Sequence, residues 1–317
     1  MPFPHASDDD GWDALCADDR ALAAGVAALC SQHRLDAQPV RRYGSGSVPV
    51  YAIGDSHVLK LFPPPESVHA AVEARALAAV HGALSMPTPQ LVAADTLDGW
   101  HWVLMSQLQG ETLVGAWPTL SERERDAVAE QLGTSLASLH AIDSRALGDF
   151  TPQWQQFLPA QRASAVECQR ARRLDPYWRE RISDFLDRWM PSAGPRRSLL
   201  HTEVMREHLL VSGVRGTRRL SGLFDFEPAM LGAPEYEFAS VGLFVACGDA
   251  RTLRRILLAY GYRADQLDGA LQCRLMAYAM LHRYSNLRWY LERLPAQGAA
   301  TFEELAARWW PLGDASA

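Results

Sequence analysis

Between Val40 and Phe62 short β-like runs alternate with turn signals, and no other stretch constrains the fold as tightly. Val40-Arg-Arg-Tyr-Gly-Ser-Gly-Ser-Val-Pro-Val-Tyr-Ala-Ile53 is two such runs around a glycine turn. His57-Val-Leu-Lys-Leu-Phe62 is a third, ending in Pro63-Pro-Pro65. Strand, glycine loop, strand, turn, strand is the order of an antiparallel meander. Ser67 to His81 follows as an Ala-rich amphipathic helix, and a further strand pair is expected at Leu91–Asp95 and Trp100–Met105, turning at Leu97-Asp98-Gly99. Ahead of the meander, Leu15, Leu22, Val26 and Leu29 stand at helical spacing and predict a helix from about Trp12 to His33.

After Gly110 the pattern becomes helical. Ser121 to His140 reads as one long helix opened by the capping box Ser121-Glu-Arg-Glu124. Trp154 to Met190 is helical with Arg and Trp throughout, Ser198 to Phe226 is a short β-like block, and helix resumes to Trp310. A small β-rich part before a larger α-rich part makes an α+β, two-lobe architecture.

Composition excludes several classes. Hydrophobic residues at 48% and charged residues at 21% suit a globular chain with a full core, and no apolar run has membrane-spanning length. The acidic start, without a basic segment and apolar run, is not that of a signal peptide, so a cytoplasmic location is expected. Cys16, Cys30, Cys168, Cys247 and Cys273 are scattered and read as reduced thiols, not a disulfide framework or zinc site. A net charge of −6 argues against a general nucleic-acid surface and tolerates a cationic small substrate. The Arg-rich stretch Arg162–Arg188 has acids interleaved and reads as a solvated, ion-paired face.

Among 31 basic residues Lys60 is the only lysine, which points to a position requiring a compact ammonium in place of a planar fork. Gly44-Ser45-Gly46-Ser47 alone also reads as a tight hairpin. Lying between two strands, it does not fit a dinucleotide fingerprint and does fit a phosphate-covering hairpin. Lys60 follows on the next strand, and Glu73 comes thirteen residues later on the next helix. A lysine that holds nucleotide phosphates and is fixed by a helical carboxylate needs this order. Taken singly, Glu73 also reads as a solvated helix-face charge, and Glu66 is a rival partner for Lys60.

A second cluster is His201-Thr-Glu203, four residues, His208-Leu-Leu-Val211, then Phe224-Asp225-Phe226 and Gly232-Ala-Pro-Glu-Tyr-Glu237-Phe-Ala239. It resembles the aminoglycoside phosphotransferase family of small-molecule kinases, within the protein-kinase-like fold. That family reads His-Gly-Asp, four residues, Asn and a hydrophobic run, then Ile-Asp-Phe/Trp, a Gly and an Asp-Leu-Ala-like tail. Ser135-Leu-Ala-Ser-Leu-His140 and Trp102-Val-Leu-Met-Ser-Gln-Leu-Gln-Gly110 resemble its Leu-His helix and its strand into the hinge. The Ala-Met-x-Gly and Tyr-Glu-x-Ala words are nearest to the hygromycin-modifying branch.

The resemblance implies an N-lobe at 1–105, a hinge at 106–110 and a helical C-lobe at 111–317 with a catalytic loop at 198–211 and a metal segment at 220–230. It implies that Asp225 holds the metal on the nucleotide phosphates, Mg2+ or alternatively Mn2+. Lys60 and Glu73 would position those phosphates, Gly44, Ser45, Gly46 and Ser47 would cover them, and the backbone of Ser106, Gln107 and Leu108 would receive the base of ATP or GTP. Glu203 stands where the family has its catalytic Asp, and His208 where it has a metal-binding Asn. Glu keeps a carboxylate but adds a methylene, and imidazole suits softer metals than Mg2+. His201 reads as a structural histidine, and His208 also reads as a polar loop residue. Glu237 replaces a loop-bracing Asp. The expected function is ATP- or GTP-dependent O-phosphotransfer to a cationic or sugar-like small molecule. A nucleotide-binding protein without turnover, or a kinase fold with altered chemistry, is the alternative.

Overall fold

The predicted meander folds as five antiparallel strands in a computed structural model of the chain, which describes residues 2–44, 46–148, 150–191 and 197–313. The chain divides into two units, the first built from Met1–Gly82, Pro87–Gln109 and Gly222–Pro228, the second from Ala83–Met86, Gly110–Ser221 and Ala229–Ala317. By packing, therefore, most of the 220–230 segment belongs to the first unit, not to the helical part where the sequence reading put it.

In the first unit helices α1 (Asp9–Ala17) and α2 (Asp19–Gln32) precede strands β1 (Val40–Arg42), β2 (Val50–Ile53) and β3 (His57–Phe62). Helix α3 (Ser67–Val80) leads to β4 (Leu91–Leu97) and β5 (Trp100–Ser106), and the sheet order is β1-β2-β3-β5-β4. The single helix expected over Trp12–His33 is two. Asp18 sits between them in extended conformation, and its carboxylate accepts from the amides of Arg20 and Ala21, so it ends one helix by capping the next.

Strand alternation sorts the sheet residues. Tyr51, Ile53, Leu59, Leu61, Trp100, Trp102 and Leu104 face a core filled by Phe3, Trp12, Leu22, Val26 and Leu29. Lys60, between Leu59 and Leu61, is thereby placed on the other face. The N-terminal residues are part of this core: Phe3 donates its amide to Asp98, Pro4 accepts from the Trp100 indole, and the Phe3 ring occupies the space a side chain at Gly25 would need.

The second unit contains strands β6 (Glu111–Thr112), β7 (Ser198–Leu200), β8 (Leu209–Ser212), β9 (Arg219–Leu223, whose last two residues count with the first unit) and β10 (Met230–Gly232). Its helices are α4 (Leu113–Ala116), α5 (Glu122–Ala141), α6 (Trp154–Ala171), α7 (Pro176–Arg179), α8 (Ile182–Trp189), α9 (Glu237–Ser240), α10 (Ala250–Tyr260), α11 (Gly269–Met280), α12 (Leu287–Arg293) and α13 (Phe302–Trp309). Both halves of the Ser121–Glu124 capping box are made. The stretch read as helical from Trp154 to Met190 is three helices, because Asp175-Pro176 caps and restarts the chain. Buried Glu124 also accepts from the amides of Gly216 and Arg218, so one carboxylate ties the start of α5 to the turn between β8 and β9.

Gly25→Ala is expected to lower stability by about 1–3 kcal/mol through overpacking against Phe3, although alanine alone favours a helix by roughly 1 kcal/mol. In a Phe3→Ala background the same substitution is expected to stabilise. Thermal unfolding of the four-member cycle checks this, and additive effects would refute the contact.

Candidate active site

Lys60 pairs across the sheet with Val50 on one side and Val103 on the other, and its side chain is almost fully buried. Its Nζ lies 2.9 Å from Glu73 Oε2, 2.7 Å from Asp225 Oδ1 and 2.9 Å from Glu227 Oε2. The ring of Phe62, two residues on and on the same face, lies 5.4 Å from the ammonium. An ammonium has three donors, and three carboxylates surround this one. Burial acts against the charge of Lys60, yet Asp225, Glu73 and Glu227 together hold its pKa well above the ordinary value. Burial likewise pushes the Glu73 carboxyl up, against the pull of Lys60 and with repulsion from Asp225 and Glu227 added. Glu73 is fully buried on α3, and neither of its oxygens has a hydrogen-bond partner among the described residues, so Lys60 meets its Oε2 as an ion pair. Glu66, the rival partner, instead contacts His69 at 2.5 Å.

The glycine hairpin joins this cluster through Ser47, whose hydroxyl donates to Glu227 Oε1 at 3.1 Å. Gly46 has φ +140, a conformation that disfavours any side chain, while Gly44 has open space around it; Ser45 lies outside the described residues. At the end of β5 the Ser106 amide donates to Gln90 O and the Gln107 amide to Ser56 O. Among the described residues the Leu108 amide makes no backbone hydrogen bond outside the strands. The Leu108 side chain packs against Gly222, where a Cβ would come within 2.6 Å. Asp225 itself has φ +75, a left-handed turn that points Asp225 and Glu227 of the Asp-Phe-Glu word to the same ammonium.

In the second unit the loop after β7 is held by a buried carboxylate. Glu237 accepts from the amides of His201 at 2.7 Å and Thr202 at 2.8 Å. Thr202 sits at φ +70, and its carbonyl accepts from His282 Nε2 at 3.1 Å. His140 Nε2 stands 3.5 Å from Glu237, and its Nδ1 is 2.9 Å from the Tyr260 hydroxyl; one tautomer satisfies both. His201 Nδ1 accepts from the Glu203 amide, a structural role of the kind its sequence context suggests. His208 Nδ1 donates to the Glu203 carbonyl at 2.8 Å. Glu203 is thus bracketed by two histidines and by the amides that Glu237 holds.

The structure therefore brings together Lys60, Glu73, Asp225 and Ser47 in the first unit, and Glu203 and His208 in the second. Sequence reasoning missed Glu227 and His282. Glu227 stands two residues after Asp225, but it is the left-handed backbone at Asp225 that brings both carboxylates to one ammonium, which strand alternation does not encode. No local signal marks His282, which lies 80 residues from its partner. Among the described residues no three His, Cys, Asp or Glu side chains form a self-sufficient metal site. The part-exposed carboxylate of Asp225 is nevertheless a hard oxygen donor of the kind a phosphate-borne Mg2+ takes.

A sequence model described as the phosphotransferase enzyme family matches residues 39–273. No curated protein matches the sequence. Among solved structures the chain is similar to the GDP complex of wild-type aminoglycoside 2'-phosphotransferase-IIIa, with TM-score 0.67, 20% identity, and 89% of this chain and 97% of that chain covered. It is similar to the macrolide 2'-phosphotransferase MphH from Brachybacterium faecium, with TM-score 0.59, 21% identity, and 92% and 99% covered. A streptomycin–ATP ternary complex of an aminoglycoside phosphotransferase gives TM-score 0.58 at 19% identity, covering 89% and 98%. These likenesses are of fold, and they establish the α+β, kinase-like architecture expected from the sequence.

Lys60→Met leaves three carboxylates without their cation and is expected to cost about 3–5 kcal/mol of unfolding free energy. Glu73→Gln in the same chain should recover part of that loss in denaturant titrations. Burial lowers the His282 pKa to about 4, so the folded state holds it neutral while the unfolded chain takes up a proton near pH 6.5. Its contribution is full above that pH and is lost as pH falls towards 4. Thermal midpoints between pH 7.5 and 4 should therefore fall less steeply in His282→Gln than in the parent; parallel curves would refute the assignment.

Proposed function

Because this chain belongs to the phosphotransferase enzyme family, we propose that it is a kinase that uses ATP or GTP to phosphorylate a hydroxyl of a cationic or sugar-like small molecule. The observation that carries this reading is the Lys60 ammonium held by Glu73 and Asp225 in the order hairpin, strand, helix. Structural neighbours support the nucleotide and the acceptor class: they include complexes with GDP and kanamycin, with gentamicin, and with streptomycin and ATP. A chain of net charge −6 suits a cationic acceptor of the aminoglycoside kind, hygromycin-like compounds included. Five free thiols support a reducing, cytoplasmic setting.

In this reading Lys60 and the Gly44–Ser47 hairpin hold the nucleotide phosphates, with Glu73 fixing the lysine. Asp225 would hold the divalent cation that neutralises charge on those phosphates. An imidazole at His208 suits Mn2+ better than Mg2+ if that residue also contributes. Glu203 orients the acceptor hydroxyl and takes its proton as the new O–P bond forms and the β–γ bridging bond breaks, releasing nucleoside diphosphate. Glu237 is a positioning residue: by accepting from the amides of His201 and Thr202 it fixes the backbone from which Glu203 projects.

Acceptor-dependent release of ADP or GDP, with Mg2+ and with Mn2+ against a panel of aminoglycosides, macrolides and smaller amino alcohols, checks this. Asp225→Ala and Glu203→Ala are each expected to lower turnover by about 10²-fold or more. Nucleotide binding in calorimetry without turnover of any acceptor would favour the binding-only reading, and no nucleotide binding with either metal would sink the kinase reading. Glu237→Gln should lower kcat with little change in nucleotide Kd, since it acts on the loop and not on Lys60.

A further inference from the structure

Lys60 is crowded by carboxylates. Its ammonium donates to Asp225 and Glu227 and stands 2.9 Å from Glu73 as an ion pair, so an incoming phosphate oxygen competes with these carboxylates for it. The three are not equally able to leave. Glu73 is fully buried on α3, where turning away from Lys60 would leave its carboxylate in the interior without a cation. Asp225 is fixed near the lysine by its own left-handed backbone and makes the shortest contact. Glu227 is less exposed than Asp225, 14% against 25%, but its longer side chain can swing away without moving the backbone. It is also the one carboxylate that reaches both phosphate-handling elements, taking Lys60 on Oε2 and the Ser47 hydroxyl of the hairpin on Oε1. Its two oxygens thus occupy the donors that two oxygens of a phosphate would take.

We propose that Glu227 is a built-in anionic plug, which holds Lys60 and Ser47 when no nucleotide is bound and must be displaced by the phosphates on binding. This rests on the nucleotide-binding reading of the same site. A displaced Glu227 is a carboxylate without its cation beside a second one, Asp225. Nucleotide entering alone therefore adds negative charge to a site already holding three carboxylates against one ammonium, whereas nucleotide entering with a divalent cation does not. Glu227 accordingly makes nucleotide binding depend on the metal.

The test is nucleotide affinity without metal. ATP and GTP are titrated calorimetrically into the parent and Glu227→Gln in excess EDTA, then with Mg2+. The amide keeps the side-chain shape and loses the charge. Glu227→Gln is expected to bind at least about tenfold more tightly than the parent in EDTA, with a much smaller difference in Mg2+. Equal or weaker binding by the variant in EDTA would overturn the plug.

A second readout uses the uniqueness of Lys60: protein labelled with [13C,15N]lysine carries one lysine signal. That signal is expected to shift between ligand-free parent and Glu227→Gln, and to move at lower ATP concentration in the variant under EDTA. An identical ligand-free signal would overturn the contact itself, even where neither protein binds nucleotide. Failure of both proteins to bind ATP or GTP with Mg2+ sinks the nucleotide reading and the plug with it, whereas metal-dependent binding unchanged by Glu227→Gln removes the plug alone.

Discussion

Three carboxylates meeting one buried ammonium set the terms for the first unit. Lys60 reaches them only because β3 alternates, with Leu59 and Leu61 committed to the core under α1 and α2. That core leaves a slip of one residue no room, since it would bury the ammonium among Trp100, Trp102 and Leu22 and expel the leucines. The hydrophobic pattern of a six-residue strand thus fixes where the charge points. The long α3 then supplies Glu73 at a depth where its charge is tolerated only beside Lys60. The core and the charge cluster are two faces of one alternation.

The second unit uses buried carboxylates differently. Glu237 gives its two oxygens to successive backbone amides, and Glu124 accepts from the amides of Ser121, Gly216 and Arg218. At His201, Thr202, Gly216 and Arg218 a side chain far along the sequence satisfies N–H groups that the local backbone leaves unpaired. The left-handed Thr202 makes this necessary at the Glu203 loop, for there the chain turns away from regular structure. His282, kept neutral by burial, donates to the Thr202 carbonyl, and His140 stands beside Glu237 to complete the shell.

Patterns with short periods were legible before the structure. The meander, the α3 helix, the capping box at Ser121 and the Lys60–Glu73 pairing all depend on spacings within about one element, and the sequence carries those directly. The break at Asp18 was hidden because apolar spacing continues across it while a single cap interrupts the backbone. Glu227 and His282 were hidden for another reason. Their partners lie 167 and 80 residues away, and no local periodicity encodes a contact of that range. The placement of Gly222–Pro228 in the first unit is likewise a long-range fact that a reading along the chain cannot supply.

Long-range geometry also accounts for the one lysine in an arginine-rich chain. Arginine would bring five donors in a plane, suited to a bidentate pair with a single carboxylate. Glu73, Asp225 and Glu227 approach from a helix and a loop, and a compact tetrahedral ammonium can meet all three at 2.7–2.9 Å. A guanidinium at the same depth would need more volume between Val50 and Val103 and would leave donors unpaired in a buried place. Elsewhere arginine meets more than one carboxylate at part-exposed positions, Arg251 with Glu122 and Asp126 and Arg255 with Asp126 and Glu130, where water can take its remaining donors. At position 60 the burial and the directions of the acceptors select lysine.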